Sequence, residues 1–175
     1  MTGNKPLNVQ LLIIDPQNDF MEGGSLAVDG ATADMQRLAA LLNRVGGKLA
    51  DIHVTMDSHH LIDVAHPGMW RDADGNNPAP FTMIGSDDIK NGIWLPRNRG
   101  LVQRMADYAQ ALEADGKYPL MVWPEHCVIG TPGHNVQPDL MNALAQWERD
   151  YTGVVNYVTK GVNIFTEHYL SLIHI

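Results

Sequence analysis

The run Leu11-Leu12-Ile13-Ile14, followed by Asp15 and Pro16, limits the folds open to this chain more than any other stretch. Four consecutive aliphatic residues indicate a strand that is buried on both faces, as in parallel sheets. Because Pro16 cannot donate to a sheet ladder, we expect Asp15 at the carboxyl end of the strand, where open α/β sheets place their ligands. Asp before Pro is also a common turn former, so this stretch alone leaves both interpretations open.

A strand, a helix and a second strand follow one another in the first third of the chain. We predict strands at Val9–Ile14 and Ile52–Met56, and the apolar residues between positions 35 and 45 recur with helical spacing. A third strand is predicted at Val154–Thr159, and further helices after Leu101 and after Pro138. Since a helical crossover joins parallel strands, the pattern predicts an α/β fold, a three-layer parallel sheet with helices on both faces.

The stretch from Pro67 to Pro96 has no regular period and is rich in Gly, Pro, Asn and Asp. A chain of 175 residues that is 45% apolar is long enough for one domain with its own core. We therefore predict a single domain over residues 1–175 with a long excursion of loop and helix at about 67–120. Such excursions often form lids or binding loops.

Composition excludes several classes of partner. The net charge of −8 argues against nucleic acid or an anionic membrane, and no apolar run is long enough to cross a bilayer. The single cysteine, Cys127, excludes an internal disulfide framework and indicates a reducing, cytoplasmic location.

Charged residues stand at the ends of all three predicted strands, namely Asp15, Asp57 and Lys160. Because the carboxyl ends of parallel strands meet at one edge of a sheet, these side chains are expected on the same edge. A carboxylate beside an ammonium group suits the activation of a nucleophile, with one taking its proton and the other stabilising the anion. For Lys160 alone, a solvated charge at a strand end is the competing interpretation.

Histidines accumulate around the second strand end and again far downstream. Asp57 and His59 are two residues apart, His66 follows, and His126 comes from a distant segment. One carboxylate with two or three imidazoles suits zinc, iron or manganese and leaves coordination positions for water or substrate. Asp-x-His pairs are common, so these residues are equally compatible with turn caps or solvent-facing side chains.

Several motifs give the chain a family resemblance. Ile14-Asp15-Pro16-Gln17-Asn18-Asp19-Phe20 with Gly23-Gly24-Ser25-Leu26-Ala27-Val28 resembles the opening of the nicotinamidase and isochorismatase-like cysteine hydrolases. Asp57-Ser58-His59, Trp123-Pro124-Glu125-His126-Cys127-Val128-Ile129-Gly130-Thr131-Pro132-Gly133 and Lys160-Gly161 recur in the same order as in nicotinamidases. The similarity covers residues 7–170 approximately.

This resemblance implies an isochorismatase-like, Rossmann-like fold and an amide hydrolase that converts nicotinamide to nicotinate and ammonia through a Cys-Asp-Lys triad. Asp15 matches the general base, Lys160 the triad lysine and Phe20 a substrate-binding residue. The implied ligands of a divalent metal, zinc first and iron or manganese as alternatives, are Asp57, His59, His126 and His66. The implied partner is a small-molecule amide, and assembly into a homo-oligomer is left open.

The chain departs from the family pattern at the nucleophile. The family's nucleophilic cysteine lies downstream of the lysine, whereas Cys127 matches the structural cysteine beside the metal-ligand histidine. We therefore expect an incomplete domain, truncated before the triad cysteine, with Ser171–Ile175 no longer matching the family. By itself the 175-residue chain is expected to be inactive on nicotinamide. A hydrolase that uses a metal-bound water and an inactive metal- or ligand-binding fragment remain as alternatives. An aspartyl phosphatase is set aside, because Gln17 stands where that chemistry needs a second Asp.

Overall fold

The computed structural model describes residues 8–114 and 119–167, so the segment Ser171–Ile175 lies outside the described residues. Contacts divide the chain into two compact units. The first contains residues up to Asp57 together with Gly130–Thr159, and the second contains Ser58–Ile129 with the chain from Lys160 onward. Compact units of this kind also occur within one domain, so the prediction of a single domain stays a prediction.

The first unit is built on a parallel sheet. Its elements in chain order are β1 (Val9–Ile14), α1 (Ala31–Val45), β2 (Leu49–Asp57), α4 (Pro138–Tyr151) and β7 (Asn156–Lys160), whose last residue falls in the second unit. The three strands form one parallel sheet in the order β1-β2-β7. The bounds of the first predicted strand are confirmed, the second strand is longer than predicted, and the third begins two residues later. The predicted α/β class is confirmed.

One face of this sheet carries the core of the first unit. Ile13 pairs with Val54 across β1 and β2, and both side chains are buried against Leu42 of α1 and Leu144 of α4. Side chains alternate along a strand, so Ile14 points away from this cluster and is 53% exposed. The prediction that this strand is buried on both faces is therefore wrong, because the apolar run has one buried and one exposed face.

The second unit contains the remaining elements. They are β3 (Trp70–Arg71), β4 (Thr82–Ile84), α2 (Ser86–Lys90), β5 (Leu95–Pro96), α3 (Val102–Glu113) and β6 (Leu120–Val122). Strands β3 and β5 pair antiparallel, and so do β4 and β6. Its core is a separate cluster centred on Trp70, Ile84, Met105 and Leu120.

The predicted excursion at about 67–120 is more regular than its composition indicated. Three short strands, β3, β4 and β5, and the helix α2 lie within it, where the Gly- and Pro-rich sequence predicted loop before the helix at α3, and β6 begins at its end. The strands have only two or three residues, too few for an alternating pattern to show. Their partners lie 24 to 40 positions away, so pairing rather than local preference defines them. Within residues 8–114 and 119–167, no helix has the length and apolar character needed to cross a bilayer.

Candidate metal centre

Three histidine side chains meet in the interior of the second unit. His59 and His66 are fully buried and His126 is 3% exposed. The ring centroids are separated by 4.9 Å for His59–His66, 4.8 Å for His59–His126 and 5.2 Å for His66–His126. One nitrogen from each ring lies within 4.8 Å of the others. We call this group the histidine cluster.

Backbone pairing between two distant segments holds the histidine cluster together. The His59 N–H donates to the Cys127 carbonyl at 3.1 Å, and the Ile129 N–H donates to the His59 carbonyl at 3.0 Å. This is a short parallel bridge between His59 and Val128. The two segments therefore cannot slide past each other without breaking both hydrogen bonds, and His126 is fixed beside the other two rings.

Each ring of the histidine cluster has an acceptor beside its Nδ1 atom. The Asp63 carboxylate lies 3.1 Å from Nδ1 of His59, the His60 carbonyl 3.2 Å from Nδ1 of His66, and the Pro124 carbonyl 2.8 Å from Nδ1 of His126. Oxygen acceptors of this kind place the proton of a neutral imidazole on Nδ1, so the lone pair is on Nε2. In the same arrangement, Nε2 of His66 lies 3.3 Å from Nδ1 of His126.

Burial keeps His66 in the state that a metal requires. Desolvation first, and the neighbouring His59 and His126 rings next, lower the pKa of His66 to about 4. A neutral imidazole is the metal-binding form, and protonation competes with the metal. Near neutral pH, His66 therefore presents a lone pair rather than a charge.

The donor set fits a divalent transition metal. Nitrogen ligands sit about 2 Å from zinc, so ligand atoms within 4.8 Å of one another need only a small inward movement to share one ion. Three buried imidazoles suit zinc, iron or copper far better than the oxygen-preferring magnesium or calcium. The residues thus suggest a divalent metal at this position.

Three of the other predicted site residues lie at the ends of the sheet strands, and Phe20 lies in a turn after β1. Asp15 follows β1 with a left-handed backbone (φ 47°), and its carboxylate accepts from the Thr55 hydroxyl at 2.7 Å. Lys160 closes β7, and its carbonyl accepts from the Ser58 N–H at 2.8 Å. Phe20 is half-buried at the end of a short 3₁₀ turn, Asn18–Phe20.

Asp57 closes β2 and is 7% exposed. The fully buried Gln17 holds its backbone from both sides, since Oε1 accepts from the Asp57 N–H and Nε2 donates to the Asp57 carbonyl, each at 2.7 Å. The same Nε2 donates to the His134 carbonyl at 3.0 Å. Sequence reasoning named Gln17 in a motif and as the residue that sets aside an aspartyl phosphatase, but gave it no structural role, and it did not single out Asp63. The one available signal for Asp63 was its position four residues after His59.

Cys127 is fully buried, and its backbone is left-handed with φ 48°. It directly follows His126, and its carbonyl belongs to the bridge that fixes His59. Cys127 is therefore a buried residue of the second unit whose backbone helps to hold His59 in position.

Comparison with known proteins identifies similar enzymes. No protein-family model matches the chain. A nicotinamidase/pyrazinamidase of Mycobacterium tuberculosis is 31% identical over 146 residues, which are 82% of this chain and 53% of that protein. This chain therefore spans about half the length of that curated relative.

Solved structures show the same fold. The yeast nicotinamidase bound to the inhibitor nicotinaldehyde superposes with a TM-score of 0.61 at 20% identity, over 91% of this chain and 60% of that one. A nicotinamidase of Acinetobacter baumanii gives a TM-score of 0.52 at 24% identity, over 92% of this chain and 55% of that one. The resemblance predicted from the motifs is confirmed: the chain is similar in sequence to a nicotinamidase/pyrazinamidase, and the solved nicotinamidases share its fold.

Proposed function

We propose that this chain contributes to an amide-hydrolysing site that converts nicotinamide to nicotinate and ammonia. The observation that carries this proposal is the 31% identity to a nicotinamidase/pyrazinamidase over 82% of the chain. The small amide substrate and assembly into a homo-oligomer are part of this proposal.

Zinc is the metal that we propose for the histidine cluster, with iron and manganese as alternatives. Asp57 is proposed as a further ligand because it precedes His59 by two residues and closes a strand. Bound there, the metal would supply an electrophilic centre that anchors the pyridine nitrogen of the substrate. The chain's own part is to keep three imidazoles dry and oriented, which the burial of His59, His66 and His126 supports.

Asp15 is proposed as the general base and Lys160 as its cationic partner. In amide hydrolysis of this kind, the base takes the proton of the nucleophile, which bonds to the amide carbon. The base returns that proton to the nitrogen as the C–N bond breaks and ammonia leaves, and water then hydrolyses the acyl intermediate to release the acid and the nucleophile. The hydrogen bond from Thr55 to the Asp15 carboxylate fixes the direction in which that carboxylate accepts a proton. Phe20 is proposed as an apolar wall for the substrate ring. We assign the nucleophile to no residue of this chain, because its one thiol, Cys127, is buried.

The test is ammonia release from nicotinamide by zinc-loaded protein, expressed both as these 175 residues and as the complete open reading frame of its gene. We expect turnover from the complete reading frame that falls by about 10² to 10⁴ in Asp15→Asn, since general bases contribute rate factors of this size. Asp29→Asn, at an exposed position, serves as the matched control. Undiminished turnover in Asp15→Asn would remove Asp15 from the mechanism.

A second candidate is hydrolysis by a metal-bound water, which needs no thiol. Its support is the histidine cluster, because three imidazoles leave a coordination position for water, as in other three-histidine zinc enzymes. Turnover by the 175-residue chain that survives Cys127→Ala and is lost with a chelator would favour this mechanism. Metal binding without turnover in any form would instead indicate a non-catalytic metal-binding protein.

A further inference from the structure

We propose that Asp63 is a positioning residue that fixes His59 in the tautomer able to bind a metal through Nε2. This inference rests on the metal site proposed above and adds a residue outside the ligand set. Asp63 would act through His59 and would not touch the metal or the substrate.

Both side chains of the pair are fully buried, and Oδ2 of Asp63 lies 3.1 Å from Nδ1 of His59. The other carboxylate oxygen accepts from the Ala65 N–H at 2.9 Å. Both oxygens of Asp63 are thus engaged, so its side chain cannot rotate without losing a hydrogen bond in a dry environment. The orientation of the His59 ring follows from the orientation of Asp63.

The three acceptors that face the histidine cluster are not equivalent. His66 and His126 are held by backbone carbonyls, whereas His59 is held by a carboxylate. An ionised carboxylate is acceptor-only, so it requires the proton on Nδ1 of His59. Its charge also makes the imidazole a stronger donor to a metal, which is why carboxylate–histidine–metal arrangements recur in metal sites.

The substitution Asp63→Asn distinguishes this role from a packing role. An asparagine has one oxygen and one NH₂ group, and the Ala65 N–H requires the oxygen. The NH₂ group would then face His59, and Nδ1 would have to accept. The proton moves to Nε2, which removes the lone pair that the metal needs. An Asp-to-Asn change beside a catalytic histidine has this consequence in serine proteases, where geometry is kept and the tautomer is wrong.

Two measurements test whether Asp63 fixes the tautomer of His59. The affinity for Zn²⁺, measured by competition with a chromophoric chelator, should fall about 10- to 100-fold or more in Asp63→Asn, the range seen for outer-shell partners. Asp87→Asn, which removes the same charge from an exposed side chain of the same unit, should leave the affinity unchanged. The second measurement is the ¹⁵N chemical shifts of the His59 ring in metal-free protein at neutral pH. We expect Nδ1–H in the wild type and Nε2–H in Asp63→Asn.

The outcomes separate the two proposals. Wild-type protein that binds no Zn²⁺ would overturn the metal site, while the ring shifts of the metal-free wild type would still decide the role of Asp63. Zinc affinity that is lost in His126→Ala but unchanged in Asp63→Asn would overturn the positioning role alone. An Nε2–H tautomer of His59 in the wild type would overturn it as well, and that measurement does not depend on the variant folding.

Discussion

The side-chain amide of Gln17 forms two hydrogen bonds of 2.7 Å with the backbone of Asp57, one to its N–H and one to its carbonyl. It thereby joins the turn after β1 to the last residue of β2 inside the first unit. Gln17 is fully buried, so water cannot replace these contacts. The proposed base, Asp15, directly follows β1 and lies two residues before Gln17. The Gln17 amide therefore also holds the carboxyl end of β1 beside that of β2.

Gln17→Leu should destabilise the protein by about 3 kcal/mol, because each buried backbone group left without a partner costs about 1 to 3 kcal/mol and the structure relaxes in part. The midpoint of urea unfolding, followed by circular dichroism, measures the effect. Gln10→Leu is the matched control, since Gln10 is exposed and makes one 3.3 Å contact with Asp51. We expect a change below about 0.5 kcal/mol there. Equal midpoints for the two variants would show that the Gln17 hydrogen bonds contribute nothing.

The histidine cluster gives a direct prediction for metal content. His126→Ala should reduce the zinc of purified protein from about one equivalent to a small fraction, because a site with three imidazoles loses one of them. Elemental analysis measures it. His60→Ala is the matched control, since His60 is exposed and only its backbone carbonyl, which the substitution keeps, contacts His66. Equal zinc in His126→Ala and wild type would exclude His126 as a ligand.

Burial of His66 predicts that the metal-free protein loses stability in acid. The pKa of His66 is about 4 in the folded protein, below its ordinary value of 6.5. Between these two pH values the unfolded chain therefore binds a proton that the folded protein does not bind. Stability is fully present above pH 6.5 and is lost as the pH falls from 6.5 toward 4, with a limit of roughly 3 kcal/mol. Urea unfolding in EDTA at several pH values between 4 and 7 gives the slope.

His66→Asn removes the titrating group and should flatten that slope, whereas His60→Ala should keep it. A wild-type protein whose stability does not change over this interval would show that His66 titrates normally in the folded state.

The sequence predicted the parts of the fold that rest on local pattern. The aliphatic run of β1 and the helical spacing of α1 are visible in consecutive residues, and Pro138 marks the start of α4. The strands β3 and β5 were not predictable, because each has two residues and forms only against the other. Pairing across 24 residues leaves no period in either segment.

In the candidate site too, residue type and order predicted some residues, whereas contacts between distant segments were not predictable. His59, His66 and His126 were predicted as ligands from residue type and order, and the structure brings the three rings together although 60 residues separate the last two. Gln17 and Asp63 were not predicted to support the site, because their importance lies in which backbone atoms and ring nitrogens they face. No residue pattern encodes the direction of a hydrogen bond.

Cys127 provides the last prediction, which concerns its role in the chain. The thiol is fully buried, and the residue's carbonyl helps to fix His59, so we expect it to be structural. In folded protein it should react with a thiol reagent such as DTNB at least 100-fold more slowly than in urea. The reason is that the reagent can reach the buried thiol only when the protein opens locally or unfolds. Cys127→Ala should cost about 1 to 2 kcal/mol from the small cavity that it leaves, with zinc content unchanged. If the folded thiol reacts rapidly, and if nicotinamide turnover of the 175-residue chain disappears in Cys127→Ala, then Cys127 is the nucleophile and its structural assignment is wrong.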